Sequence, residues 1–191
     1  MKLGAKELRV SEPTKADLAK IKRREIYIIC DNILDTYNIG SIFRLADAVA
    51  AKKVYLCGKT ETPPYHRISK AAVGTEKWVP WEYFASAKAA IEHLRGYEVA
   101  PRLRLRPSIK LRASEERPRV KVIVIEQSKK SRDFREVDYK EPVAFIVGHE
   151  TEGVSKEALK LADEIVEIPM YGVNKSLNVM ISLAIVLYRT I

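Results

Sequence analysis

Short apolar runs, separated by polar and turn-forming stretches, recur along the chain. Buried strands are predicted at Ile26 to Cys30, Val54 to Cys57, Val122 to Glu126, Val143 to Gly148 and Glu164 to Ile168, with a shorter one at Trp78 to Pro80. The runs are rich in β-branched residues and mostly lack the alternation of a half-exposed strand, as expected for a parallel sheet covered on both faces. Between them the apolar spacing changes to three and four. Asn38 to Ala51 reads as a helix with Ile42, Leu45, Ala46 and Val49 on one face, Ser86 to Arg95 as a helix stopped by Gly96, and Ser155 to Leu161 as a capped helix. Thr14 to Arg23 reads as a short helix, opened by Thr14 and Asp17 in a capping box. Strand–helix–strand order predicts an α/β fold on a parallel sheet with right-handed crossovers.

The end of the chain breaks the usual pattern. After the strand end at Ile168-Pro169 and a Gly-bearing loop over Met170 to Lys175, Ser176 is in place to cap a helix. That helix is apolar almost all round: Leu177, Val179, Met180, Ile181, Leu183, Ala184, Ile185, Val186 and Leu187. An ordinary surface helix has one apolar stripe. This one is too short to cross a bilayer, so the expectation is burial against the protein's own sheet and against a second subunit.

Length and composition narrow the class. The 191 residues suffice for one domain with a sizeable core. The first ten residues lack the apolar stretch of a signal peptide, so a cytoplasmic protein is expected. Cys30 and Cys57 sit in apolar runs and read as buried free thiols. No Cys/His/Asp spacing suggests a metal. Charge adds more. Residues 1–24 carry eight Lys/Arg against three Asp/Glu, and residues 101–121 carry eight against two, so a basic N-terminal arm and one internal segment together hold +11 and the rest of the chain, at −2, is near neutral. Pro101 to Arg119 has three prolines and reads as an inserted loop or ribbon. Concentrated positive charge points to a polyanion such as RNA.

Three segments carry candidate chemistry, each at the carboxyl end of a predicted strand, where open parallel sheets bind ligands. In the first, Asn38 and Gly40 stand where a loop becomes a helix, and Arg44 can fork onto a phosphate or pair with Asp47. In the second, Gly148-His149-Glu150-Thr151-Glu152-Gly153, the glycines allow close approach, Glu150 can hold a polar group, and His149 reads as a loop residue more than a general base. The third holds Pro169, Met170, Gly172, Ser176, Leu177 and Asn178. No dinucleotide fingerprint, phosphate-loop lysine or nucleophile elbow occurs.

Asn38-x-Gly40-x-x-x-Arg44, Gly148-x-Glu150-x-x-Gly153 and Ile168-Pro169-Met170-x-Gly172-x-x-x-Ser176-Leu177-Asn178-Val179, in this order, resemble the three motifs of the SpoU/TrmH family of SPOUT RNA methyltransferases. The resemblance covers about residues 25–100 and 121–191. It implies a parallel-sheet SPOUT fold at residues 25–191 with a deep C-terminal trefoil knot, preceded by the 1–24 arm and interrupted by the 101–119 insertion. It further implies S-adenosylmethionine as cofactor, a homodimer through the C-terminal helix, and methylation of a ribose 2′-hydroxyl of tRNA or rRNA; without the separate N-terminal RNA-binding domain of many rRNA-directed relatives, tRNA is the expected substrate. Carried over by position, Arg44 is the catalytic arginine with Asn38 beside it, and Glu150, Ser176 and Asn178 shape the site. Gly148, Ile168, Met170, Ser176 and Leu177 line the cofactor pocket. Ala50 stands where the family often has glycine, at a helix end expected to tolerate alanine.

The family's proposed mechanism makes the arginine a base, whereas a guanidinium ordinarily keeps its proton. Arg44 is therefore read either as a base perturbed by the substrate phosphate or as a charged group that orients that phosphate and stabilises the developing alkoxide. Two other functions stay open on the sequence: a non-catalytic RNA-binding or assembly factor, and an RNA base methyltransferase on the same knotted fold.

Overall fold

The computed structural model describes residues 2–96 and 119–191; the expected insertion lies outside them except for Arg119. Its centre is a seven-stranded, all-parallel sheet: β1 (Arg24–Asp31), β2 (Ala51–Cys57), β3 (Trp81–Phe84), β4 (Lys121–Ile125), β5 (Arg132–Asp133), β6 (Val143–Gly148) and β7 (Glu164–Glu167). The spatial order is β3-β2-β1-β6-β4-β7-β5. The first three strands thus form one half and the last four the other. The seam is β1–β6, where Asp31 sits level with Gly148 at the carboxyl edge.

The helices are α1 (Ala5–Val10), α2 (Lys15–Lys20), α3 (Thr36–Ala48), α4 (His66–Ala72), α5 (Ala87–Leu94), α6 (Lys156–Leu161) and α7 (Val179–Leu187). Successive strand residues point to opposite faces, and β1 divides accordingly. Ile26, Ile28 and Cys30 pack with Ile39, Ile42 and Phe43 of α3, Ile68 of α4, and Leu183, Val186 and Leu187 of α7. Ile29 packs on the other face with Ala87, Ala90 and Ile91 of α5 and Ala158 of α6. Full burial of such an Ile or Phe side chain contributes about 1.5–3 kcal/mol, and this two-sided core holds the carboxyl edge rigid. Both cysteines are buried and free. Burial, more than the neighbouring Asp31 and Glu150 charges, pushes the Cys30 thiol up to about 12, and burial raises Cys57 too.

Close backbone packing explains two glycines. A Cβ on Gly40 would lie 2.5 Å from the Ile68 carbonyl oxygen and 2.6 Å from the Ala71 Cβ, so α3 and α4 touch backbone to backbone. Gly74 has φ +95°, and a Cβ there would collide with the Leu8 carbonyl of α1. Trp78 Nε1 donates to Ser11 Oγ at 3.3 Å, and Lys77 pairs with Glu12. The basic N-terminal segment is thereby seated on the 74–78 turn.

Several elements differ from the expectations. Trp78 to Pro80 is not a strand. A 3-10 turn at Thr75–Lys77 takes up the chain there, and β3 starts at Trp81. Helix α3 begins at Thr36, because the Asp35 side chain caps it by accepting from the Tyr37 amide. Helix α7 begins three residues after Ser176: its cap is Asn178, whose side chain accepts from the Met180 N–H at 2.9 Å. Ala50 does not sit in a tolerant helix end, since its φ is +51°, in the left-handed region. Among the described residues, no helix is long and apolar enough to cross a membrane.

Candidate active site

The site lies where the carboxyl ends of β4, β6 and β7 face the start of α7. A cavity of about 530 Å³ opens there, within the range of roughly 300–1,000 Å³ for small-molecule sites. Its apolar wall includes Ile125, Val147, Val166, Ile168, Met170 and Leu177, and its carboxylates are Glu126, Glu150 and Glu167. A second hollow of about 550 Å³ adjoins it along Gln127 to Lys129, Glu167 to Met170, Gly172, Asn174 and Lys175.

The predicted cofactor residues Gly148, Ile168, Met170, Ser176 and Leu177 all line the first cavity, as do Glu150 and Asn178. Ser176 is exposed and its N–H donates to Asn174 Oδ1 at 3.4 Å. Asn38 lies behind the lining, only 6% exposed. Its amide joins the other two motifs: Asn38 Nδ2 donates to Glu150 Oε1 at 3.1 Å, and Asn178 Nδ2 donates to Asn38 Oδ1 at 3.0 Å. Both polar ends of a buried amide are thus satisfied. Glu150 also accepts from the backbone N–H groups of Asp35 at 3.1 Å and Leu34 at 3.3 Å. Burial pushes its carboxyl up, but hydrogen bonds from its own backbone, Asn38, Asp35 and Leu34 prevail and hold it below the ordinary carboxylate value.

The 148–155 turn is clamped from below. A Cβ on Gly148 would collide with the Gly153 backbone, and Gly153 (φ +71°) abuts the Glu126 carboxylate. Glu126 Oε2 accepts from the Val154 N–H at 2.9 Å, and buried Asp31 accepts from the Ser155 N–H at 2.8 Å. His149 stabilises the same turn: its Nδ1 accepts from the backbone N–H groups of Thr151 at 3.1 Å and Glu152 at 3.2 Å.

Arg44 stands apart. It is exposed on the outer face of α3 and is not part of the cavity lining. It makes no ion pair with a described residue. The alternative partner, Asp47, faces Arg23 instead: burial raises the Asp47 carboxyl and the Arg23 charge opposes that rise.

The sequence profile of the SpoU rRNA Methylase family matches residues 25–112 and 109–188. The chain belongs to this family. Among its relatives is the tRNA (guanosine(18)-2′-O)-methyltransferase of Escherichia coli K12, 27% identical over 168 residues. That match takes in 88% of this chain but 63% of the relative, so the chain spans less than two thirds of that protein's length. The fold agrees with the family. The crystal structure of the A. aeolicus TrmH/SpoU tRNA modifying enzyme superposes with a TM-score of 0.70 at 27% identity, covering 96% of this chain and 79% of that one. An AdoMet-bound rRNA methyltransferase from Sinorhizobium meliloti also gives 0.70 at 27% identity, over 95% and 58% of the two chains.

Residues that sequence reasoning missed include Glu126, Glu167, Asn174 and Ser182, which also line the cavity. Glu126 left a trace, as the carboxylate ending the apolar run VIVIE. The others left none, because their roles depend on how the chain after β7 is placed. Among the described residues, no group of three or more His, Cys, Asp or Glu is placed to hold a metal ion.

Proposed function

We propose that this protein is an S-adenosylmethionine-dependent RNA methyltransferase that methylates a ribose 2′-hydroxyl, on tRNA in preference to rRNA, in the cytoplasm. One observation carries the reading: Asn38 hydrogen-bonds to both Glu150 and Asn178, one residue from each motif, beside a single cavity. That cavity suits the cofactor in size and chemistry. Its apolar wall matches a ring system and thioether-like chain, and its carboxylates match a ligand carrying a sulfonium and an ammonium. Bound there, S-adenosylmethionine would supply an electrophilic methyl group for in-line displacement.

The chain's residues divide the remaining work. Gly148, Ile168, Met170, Ser176 and Leu177 hold the cofactor. Asn38 fixes Glu150 and Asn178, which shape the floor beneath the reacting hydroxyl. Arg44, as a fixed cation, holds the phosphate next to the target ribose and stabilises charge developing on the oxygen. A guanidinium keeps its proton in proteins, which favours this role over that of a base.

Because Arg44 does not reach the cavity of its own chain, the complete site is assigned to a homodimer. Leu34 and Tyr37, each 48% exposed, lie at the start of α3, against which α7 packs; Ile181 (43%) and Ile185 (36%) line the outer face of α7, and Tyr188 (51%) follows just past its end. These apolar side chains form the assigned contact. The segment from Ile168 to α7 is assigned to a trefoil knot that presents the cofactor loops. Residues 25–191 form the catalytic domain, and the 1–24 arm and the 101–119 insertion supply RNA contacts.

The decisive assay supplies cofactor labelled in its methyl group together with total tRNA or rRNA, followed by nuclease digestion and mass spectrometry. The expected product is a 2′-O-methylated nucleoside from tRNA. A methylated base, or a protein that binds RNA but not the cofactor in a titration, would overturn the assignment.

A further inference from the structure

Beside α3 lies a surface to which the proposed reaction gives no role beyond Arg44 and the N-terminal arm. Gly40, two residues past Asn38, is in backbone contact with Ile68, Ala71 and Ala72, so α4 is laid directly on α3. At the start of α4, Tyr65 and His66 are both exposed, with ring centroids 5.1 Å apart and planes inclined by 43°. Arg67 and Lys70 follow on the same short helix, also exposed. Beyond α4, the Gly74 turn carries α1, with the Arg9 N–H beside it and the Arg9 side chain exposed. On the other side Arg44 is exposed on α3.

Arg9, Arg44, Arg67 and Lys70 make no ion pair with a described residue, which is also true of Lys156 and Lys160 on α6; what sets this surface apart is the pair of exposed rings beside its cations. Acids close to α4 in sequence do not compensate: Glu76 is buried, and Glu61 stands alone in the preceding loop. Exposed rings beside unpaired cations match the chemistry of an unstacked nucleotide in single-stranded RNA. Bases stack on aromatic faces whatever their identity, and guanidinium groups fork onto the flanking phosphates. A continuous A-form duplex offers phosphates but no free base face.

We infer that Tyr65 and His66 form a stacking platform for an unpaired base, flanked by Arg67, Lys70 and Arg9 as phosphate contacts, and that it docks a looped RNA strand on the α4 side of Arg44. The inference rests on RNA being the substrate and adds which surface takes it and in what form. Ile68 and Ala72 bury the inner side of α4 against α3, and the same contact would fix the distance between docked base and reacting ribose.

The test uses the full chain and fluorescence anisotropy without cofactor, with an RNA hairpin bearing an unpaired loop and a blunt RNA duplex as probes. Tyr65→Ala with His66→Ala is expected to weaken hairpin binding at least roughly tenfold while leaving duplex binding unchanged, and Tyr65→Phe to retain wild-type affinity. Arg67→Glu with Lys70→Glu is expected to reduce the slope of log K against log salt by about 2. Lys156→Glu with Lys160→Glu, on α6 across the sheet, is the control and should change neither. Thermal melts check that each variant is folded. Wild-type hairpin affinity in the Tyr65/His66 variant, or an equal loss in the α6 control, would overturn the platform. Methyl transfer is read separately: a platform that behaves as expected in a protein without transferase activity would sink the proposed reaction and leave the docking surface standing.

Discussion

The Asn38 side-chain amide donates to the Glu150 carboxylate at 3.1 Å across 112 residues of sequence. The carboxylate also takes two backbone N–H groups and is held below its ordinary value. Glu150 therefore contributes stability that is fully present above the ordinary carboxylate pKa and is lost as the pH falls through the lowered folded value. Glu150→Gln should melt earlier than wild type at neutral pH, by roughly 1 kcal/mol. Melts recorded at decreasing pH should show that gap closing in acid; a gap that widened would reverse the assigned sign.

Arg44 is exposed and unpaired with any described residue, so its removal leaves no buried group without a partner. Arg44→Ala should change unfolding free energy by less than about 0.5 kcal/mol, yet lower kcat by on the order of 100-fold or more. Arg44→Lys should not restore it, because an ammonium lacks the planar fork. Near-wild-type methyl transfer in either variant would remove Arg44 from the mechanism.

The α3–α4 contact tolerates no added atom. Gly40→Ala would place a Cβ 2.5 Å from the Ile68 carbonyl oxygen, and backbone must move to admit it. Urea titration should show a loss of about 3 kcal/mol, the upper end for overpacking.

Ala50 presents the opposite case. Its φ of +51° is a conformation that disfavours a Cβ. Ala50→Gly should raise stability by about 0.5–1 kcal/mol, strain relief outweighing the added unfolded-state entropy. Differential scanning calorimetry of the single variant suffices to check the sign.

The outer face of α7 bears on assembly. Ile181 and Ile185 are one helical turn apart and both exposed. Replacing both by Glu should leave the chain folded and shift it from dimer to monomer in light scattering at micromolar concentration. Activity should fall with it if Arg44 serves the partner's cavity. A monomeric wild type would remove the dimer from the proposal.

Much of the sheet was legible because its strands are apolar on both faces: Ile26 to Cys30 and Val143 to Gly148 became the central pair. Trp81–Phe84 was missed because it lies at the sheet edge and is not a β-branched run. The two-residue β5 is too short for any periodicity, and α1 has no buried residue to create one. At the site, the motif spacings marked the three loops, and the cavity gathers Gly148, Glu150, Ile168, Met170, Ser176, Leu177 and Asn178. The division of labour between Ser176 and Asn178 was not legible. Both are good caps; it is Asn178 whose Oδ1 accepts from the Met180 N–H to start α7, while its Nδ2 donates to Asn38.

The bond between Asn178 and Asn38 spans 140 residues. A ribosome making this chain releases α3 long before the loop that reaches back to it. The chain emerges from its amino end at about 5–20 residues per second, so β1, β2 and β3 must wait as a half-sheet whose open side is β1. Until β6 seals that side, the nascent chain exposes a central strand edge. A truncated product lacking the last strands would thus be both inert and prone to aggregate, and every chain able to hold Asn38 in place has been translated through Asn178.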